Sequence, residues 1–135
     1  MNLPFTNPKL LATQARKEIV LMTSEAKASH VASALSVVDI LAFLYAGGAN
    51  ISPTNLKDID RDVVILSKGH AAAALYSVLA LQGFFPKEWL RKYCQDDAPL
   101  GGHVTFKGVP GVELSTGSLG HGLPYGLGIA LEIPE

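Results

Sequence analysis

The sequence predicts an α/β fold, a parallel sheet flanked by helices, and three adjacent stretches carry that expectation. "VVIL", residues 63–66, is a short β-branched apolar run with the composition of a strand buried on both faces. "SKGH", residues 67–70, is a tight turn built around Gly69. "AAAALYSVLALQ", residues 71–82, reads as an apolar helix stopped by Gly83. Strand, glycine turn and helix in succession make one α/β unit.

The remaining elements follow from capping residues and periodicity. Asn7 followed by Pro8 is an N-cap with proline at the first helical position. Leu11, Ala15, Ile19, Met22 and Ala26 then recur at helical spacing, and this helix is expected to end near "KASH". "SVVDILAFLYAGG" is expected to form a second helix, with Ser36 as N-cap, Asp39 closing a box-like pair and Gly47 as the stop. "NISPTNLKDIDRD" is a polar, turn-rich linker, and "PKEWLRKYC" a short amphipathic helix begun by Pro86. Residues 95–118 are expected to be an irregular loop. A loop of that length with little charge and several glycines points to function. "LGHGLPYGLGIAL" reads as a final helix whose glycines permit close backbone approach.

Bulk composition narrows the function classes. With 135 residues and 48% hydrophobic content the chain suits one domain with a single core. A formal net charge of -1 and no Lys/Arg cluster argue against a nucleic-acid partner. The lone Cys94 offers no internal disulfide, which fits a cytoplasmic setting. The N-terminus lacks the pattern of a signal peptide. Mean hydropathy is +0.26, yet every apolar run falls well short of the roughly 20 residues of a spanning helix, so no membrane is expected.

Chemistry concentrates at the histidines. His70 follows Gly69, His103 follows Gly102, His121 lies between Gly120 and Gly122, and His30 follows Ser29. Small neighbours clear space around an imidazole, which can donate and accept protons near neutral pH. The plainer alternative is that each histidine caps a turn. "ILSKGHAA" places Lys68 and His70 between a strand end and a helix start, where α/β sheets bind ligands. It is not a P-loop, and "GSLGHGL" does not match the dinucleotide fingerprint. With one thiol and no HxxxH or Cys/His spacing, a zinc site is not expected from the spacing. Tyr76, Phe84, Phe85 and Trp89 read as core aromatics.

Three stretches, "AKASHVASALSVVDILAFLY", "RDVVILSKGHAAAALYSVLALQGFF" and "LGGHVTFKGVPGVELSTGSLGHGLPYGLGIAL", occur here in the order found in transketolases. The chain most resembles the N-terminal section of the split kind, from about residue 10 to residue 131. "SKGHAAAALY" and "GVELSTGSLGHGL" are the most specific matches. The resemblance implies that residues 1–135 are the N-terminal portion of a thiamin diphosphate-binding (PP) domain, completed by a pyrimidine-binding domain across a subunit interface. It implies transfer of a two-carbon ketol unit from a ketose to an aldose, usually as phosphates, the cofactor carrying the chemistry and the protein supplying orientation and proton handling. Residue by residue, it implies that His30 faces the reacting sugar and takes part in proton transfer. His70 would sit near the cofactor diphosphate and the substrate, and His103 would contact a substrate hydroxyl near the carbon being cleaved. Gly117, Ser118 and Leu119 match the turn that supports the cofactor through its backbone, with His121 bracing it.

Two departures stand out. Where many relatives read "SGHIGGSLS", this chain reads "ASHVASALS", so Ser29, Ala32 and Ser33 replace glycines around His30 and narrow the space beside it. Family members also continue to an acidic Gly-Asp-Gly motif and a later asparagine that hold magnesium. This sequence reaches "EIPE" first, and neither Glu132 nor Glu135 has the surrounding pattern. The expectation is a PP domain truncated before its metal motif, with the Mg2+ ligands absent from this chain. Alone it would be inactive, working with a pyrimidine-domain chain or as a homo-oligomer. The alternative is an inactive remnant that at most binds partners.

Overall fold

The computed structural model describes residues 3–132; Glu135 lies outside them. Helix α1 (Pro8–Glu25) begins as its cap dictates: Asn7 Oδ1 accepts from the backbone N–H groups of Lys9 and Leu10 at 3.0 and 3.2 Å. Its stripe of Leu11, Ala15, Ile19 and Met22 is fully buried. Burying each of the larger three contributes about 1.5–3 kcal/mol before entropy is counted.

The stripe packs against α4 (Ala72–Leu81), which is apolar on every side and buried without a break from Ala72 to Ala80. A helix of that composition can only be a core helix. Ahead of it, Gly69–Ala71 form a single 3₁₀ turn. Gln82, fully buried at the C-terminal end of α4, donates to the carbonyls of Phe5 (2.8 Å) and Tyr45 (2.6 Å) and accepts from Phe5 N (3.0 Å). One side chain thus ties the N-terminal segment and the 44–48 turn to the core helix. Glu18, nearly buried on α1, pairs with Lys87 at 2.7 Å and with Arg91, fastening the 3₁₀ segment Lys87–Lys92 to the other side.

Two expectations need correction. The helix expected over 36–48 is shorter: α3 runs Val38–Phe43 and a widened turn covers Leu44–Gly48, while a separate short helix, α2 (Val31–Leu35), precedes it unannounced by the sequence. Ser36 is not an N-cap. Its hydroxyl turns back to donate to Ser33 O at 2.9 Å, as serines do in competition with helix backbone, and it closes α2. Asp39 pairs with Arg16 of α1 and not with Ser36. Gly47 does terminate the run, at φ +111.

The second correction concerns the parallel sheet: among the described residues there is no strand. Residues 63–66 take a non-helical path, with Leu66 buried and Val63 to Ile65 half-buried. Strand formation needs a neighbour that offers N–H and C=O groups in register. The segments beside Leu66 supply only single bonds, such as Thr116 Oγ1 to Leu66 O at 2.7 Å. Val63 and Ile65 instead line an open apolar groove with Leu123 and Leu127 of α5 (Gly122–Glu132). That helix exposes Leu123 (80%), Leu127 (61%) and Leu131 (77%). No helix among the described residues is long and apolar enough to cross a membrane.

Because Gln82 satisfies three backbone groups at once, Gln82→Leu keeps its bulk but leaves them unpaired. Stability is expected to fall by about 2–4 kcal/mol, lowering Tm by roughly 10 °C in thermal unfolding followed by circular dichroism. A change within about 1 °C would mean that water replaces the amide there.

Candidate active site

A cluster of imidazoles is assembled by backbone stitching between three distant segments. The decisive position is Gly69: a Cβ there would lie 2.1 Å from Thr116 O and 2.4 Å from its carbonyl carbon. Only glycine lets the 67–70 turn seat on the 116–117 backbone. Val104 N donates to Gly69 O (3.3 Å) and Thr116 N to Val104 O (3.1 Å), so each loop holds the next. Ser67 Oγ accepts from Gly122 N at 3.1 Å, tethering the start of α5 to the same turn.

His103 is aimed from the core. Tyr76 of α4, fully buried, donates its hydroxyl to His103 O and accepts from Thr105 N, both at 2.9 Å. Burial pushes the Tyr76 phenol up to about 12, with Cys94 adding to the rise and the Thr105 N–H opposing it. The hydroxyl therefore stays protonated and able to donate across neutral pH. His30 is positioned differently. It adopts φ +71, ψ 18 just ahead of α2, a left-handed conformation costing a non-glycine residue of order 1 kcal/mol or more. A backbone held this way projects the imidazole over the 3₁₀ turn carrying His70.

The result is a triangle. Ring centroids lie 4.9 Å apart for His30–His70, 4.6 Å for His70–His103 and 5.9 Å for His30–His103, meeting edge to face at 89°, 72° and 68°. One ring nitrogen from each lies within 4.8 Å of the others. His70 is half-buried while His30 and His103 are exposed, so the cluster opens to solvent on one side. Desolvation holds His70 below the ordinary imidazole range, and the nearby positive charges of His103, His30 and Lys68 push the same way. Lys68 Nζ donates to Ser33 O (3.3 Å) and Ser36 Oγ (2.9 Å), two residues of the segment following His30. Imidazoles open to solvent can exchange protons with a bound polar molecule.

Of the residues expected at a site, His30, His70 and His103 thus converge. Gly117 adjoins them, since a Cβ there would meet His103 Cδ2 at 3.5 Å. Ser118 and Leu119 are exposed on the continuation of that turn. His121 stands outside the triangle, and its backbone N–H braces the turn at Ser118 O, 3.4 Å. Sequence reasoning placed Tyr76 in the core but missed its hydroxyl clamp. A tyrosine in an alanine-rich helix carries no signal of where its oxygen will point.

Comparison with known proteins identifies the family. Residues 9–133 match the family described as "Transketolase, thiamine diphosphate binding domain". The chain is 40% identical over 131 residues to an apulose-4-phosphate transketolase subunit of Actinobacillus succinogenes, covering 96% of this chain and 48% of that protein. It is 39% identical over 104 residues to the 6-deoxy-6-sulfo-D-fructose transketolase subunit SqwG of a Clostridium species, covering 77% and 38%. Among solved structures, transketolase from Leishmania mexicana superposes with a TM-score of 0.85 at 25% identity, covering 94% of this chain and 19% of that one. The chain spans about half the length, or less, of the curated relatives it matches. The chain belongs to the transketolase family, matching its N-terminal, thiamine diphosphate binding domain model.

Proposed function

We propose that this chain forms the histidine-lined wall of a thiamin diphosphate-dependent transketolase, moving a two-carbon ketol unit from a ketose phosphate to an aldose phosphate. The observation that carries the reading is the convergence of His30, His70 and His103 beside Gly117. When bound, thiamin diphosphate supplies the electron sink for carbon–carbon cleavage. This chain's residues fit such a group at its reacting end. The imidazoles offer donors and acceptors, and the turn after Gly117 is open: nothing lies within 4 Å of a Cβ built at Gly120. His70, Gly117, Ser118 and Leu119 are the proposed cofactor contacts. His30 and His103 would hold the sugar hydroxyls and move protons to and from their oxygens.

Magnesium does not fit the residues described. It requires oxygen donors, and the one cluster of metal-ligating side chains among the described residues is built of imidazoles alone. The Mg2+ ligands are proposed to lie on another segment or chain. A pyrimidine-domain polypeptide is the proposed partner, since relatives along this chain are named as subunits of transketolases. In that assembly residues 63–66 would gain the neighbours needed to pair as a sheet strand. A remnant that only binds partners is not favoured, because relatives along most of this chain are named transketolases.

The proton-handling reading makes His103→Ala a kinetic lesion. Its imidazole is exposed and makes no hydrogen bond to other described residues. In the assembled enzyme turnover is expected to fall by about 100-fold or more, while Tm moves by less than about 2 °C. Comparable losses in both would assign the residue to turn capping. At the strained position, His30→Gly should act in opposite directions, raising stability to urea by about 1 kcal/mol and lowering turnover. If the chain is destabilised instead, the left-handed backbone is not stored strain.

The His70 environment sets a pH dependence. Its folded-state value lies below the unfolded value near 6.5, so folding opposes its protonation and stability declines as pH falls through about 6.5. In an NMR titration the His70 ring should gain its proton below about 6.5 and move back toward that value in His103→Ala, which removes one neighbouring charge. A midpoint above about 6.5 in the native chain would contradict the assignment.

A further inference from the structure

We propose that His30, His70 and His103 also form a binding site for one divalent transition-metal ion of the zinc or copper class. Sequence spacing gives no hint of it, because spacing rules read ligands that are neighbours along the chain. These three lie on separate segments that only the fold unites.

Three features support the assignment. First, one ring nitrogen from each histidine already lies within 4.8 Å of the others. Zinc–imidazole bonds of about 2.0–2.1 Å place tetrahedral ligand nitrogens roughly 3.3 Å apart, so the rings must close by about 1.5 Å at most. Side-chain rotation alone can supply that movement, because His30 and His103 are exposed and their ring nitrogens are not engaged by other described residues. Second, the rings meet edge to face, at 68° to 89°, and do not stack in parallel. Nitrogens on ring edges can therefore point toward a common centre. Third, the donor chemistry selects the metal. Three imidazoles without a carboxylate or thiolate suit zinc, copper, nickel or cobalt and not magnesium or calcium. The solvent-open side leaves a fourth position for water, the arrangement of an accessible three-histidine centre.

Lys68, whose charge acts on His70, would oppose an incoming ion. Its ammonium is hydrogen-bonded to Ser33 O and Ser36 Oγ. The site follows from the coordinates of the three rings and does not depend on the sugar chemistry proposed above. If that chemistry holds, an ion here would occupy the lone pairs that proton handling needs.

The test is a titration of the full chain with ZnCl2 in a phosphate-free buffer near neutral pH, in competition with a chromophoric chelator, without measuring turnover. One ion per chain is expected, with affinity lowered about tenfold or more by each of His30→Ala, His70→Ala and His103→Ala. His121→Ala and Cys94→Ser, outside the triangle, should leave affinity unchanged, and Cu2+ should bind more tightly than Zn2+. Circular dichroism checks that each variant is folded. Should a cluster variant fail to fold, the visible spectrum of Co2+ bound to the native chain decides: bands of a tetrahedral or five-coordinate nitrogen site are expected, and an octahedral aquo-type spectrum overturns the proposal. Binding weaker than about 100 μM, or affinity lost through His121 or Cys94 and retained in all three cluster variants, overturns it equally.

Discussion

The close approach of Gly69 to the Thr116 backbone is the contact on which the site depends. A methyl group at that position would overlap a carbonyl oxygen that has no flexible end to swing aside. With glycine, the turn carrying His70 settles on the loop that continues into Gly117, and Val104 is drawn between them by its own N–H and C=O groups. His103 is the residue before Val104, so the same contact sets its distance from His70. Loop placement here rests on one absent side chain and a few backbone hydrogen bonds, not on a large apolar interface.

The core and the site divide the molecule between them. Helices α1, α3 and α4 bury the aliphatic side chains and the alanines, and their packing carries most of the stabilisation. The loops carry chemistry and little burial. Tyr76 joins the two layers: its ring is part of the core, while its hydroxyl holds the backbone of His103 and Thr105. Rigid helices thereby lend order to an irregular loop, which is how catalytic groups on loops are commonly held.

Much of this was legible in the sequence where the physics is local. The Asn7–Pro8 cap, the α1 stripe, the apolar run of α4 and the glycine stop at Gly47 all act over one or two helical turns, and each formed as expected. Ser36 misled because a serine hydroxyl can cap the helix ahead or bond backward, and the choice is made by its surroundings, here Ser33 O and Lys68 Nζ. The "VVIL" run misled for a related reason. Its composition states that it can be buried on two faces, but pairing is a property of two segments, and no described segment lies beside it in register. The glycine–histidine pairs marked candidate residues. That His30, His70 and His103 serve one site was implied by the family resemblance; residue spacing alone does not encode the tertiary contacts that bring the rings together.

The apolar face of α5 has a thermodynamic consequence. Unfolding raises heat capacity, and steepens the response to denaturant, in proportion to the surface newly wetted. Here Leu123, Leu127 and Leu131 are largely wetted already while the chain is folded. The isolated chain should therefore melt with a smaller heat-capacity increment than the roughly 12–15 cal/mol/K per residue typical of globular domains. Any surface that comes to cover α5 would restore the difference, so calorimetry of the chain reports directly on whether that helix is dressed or bare.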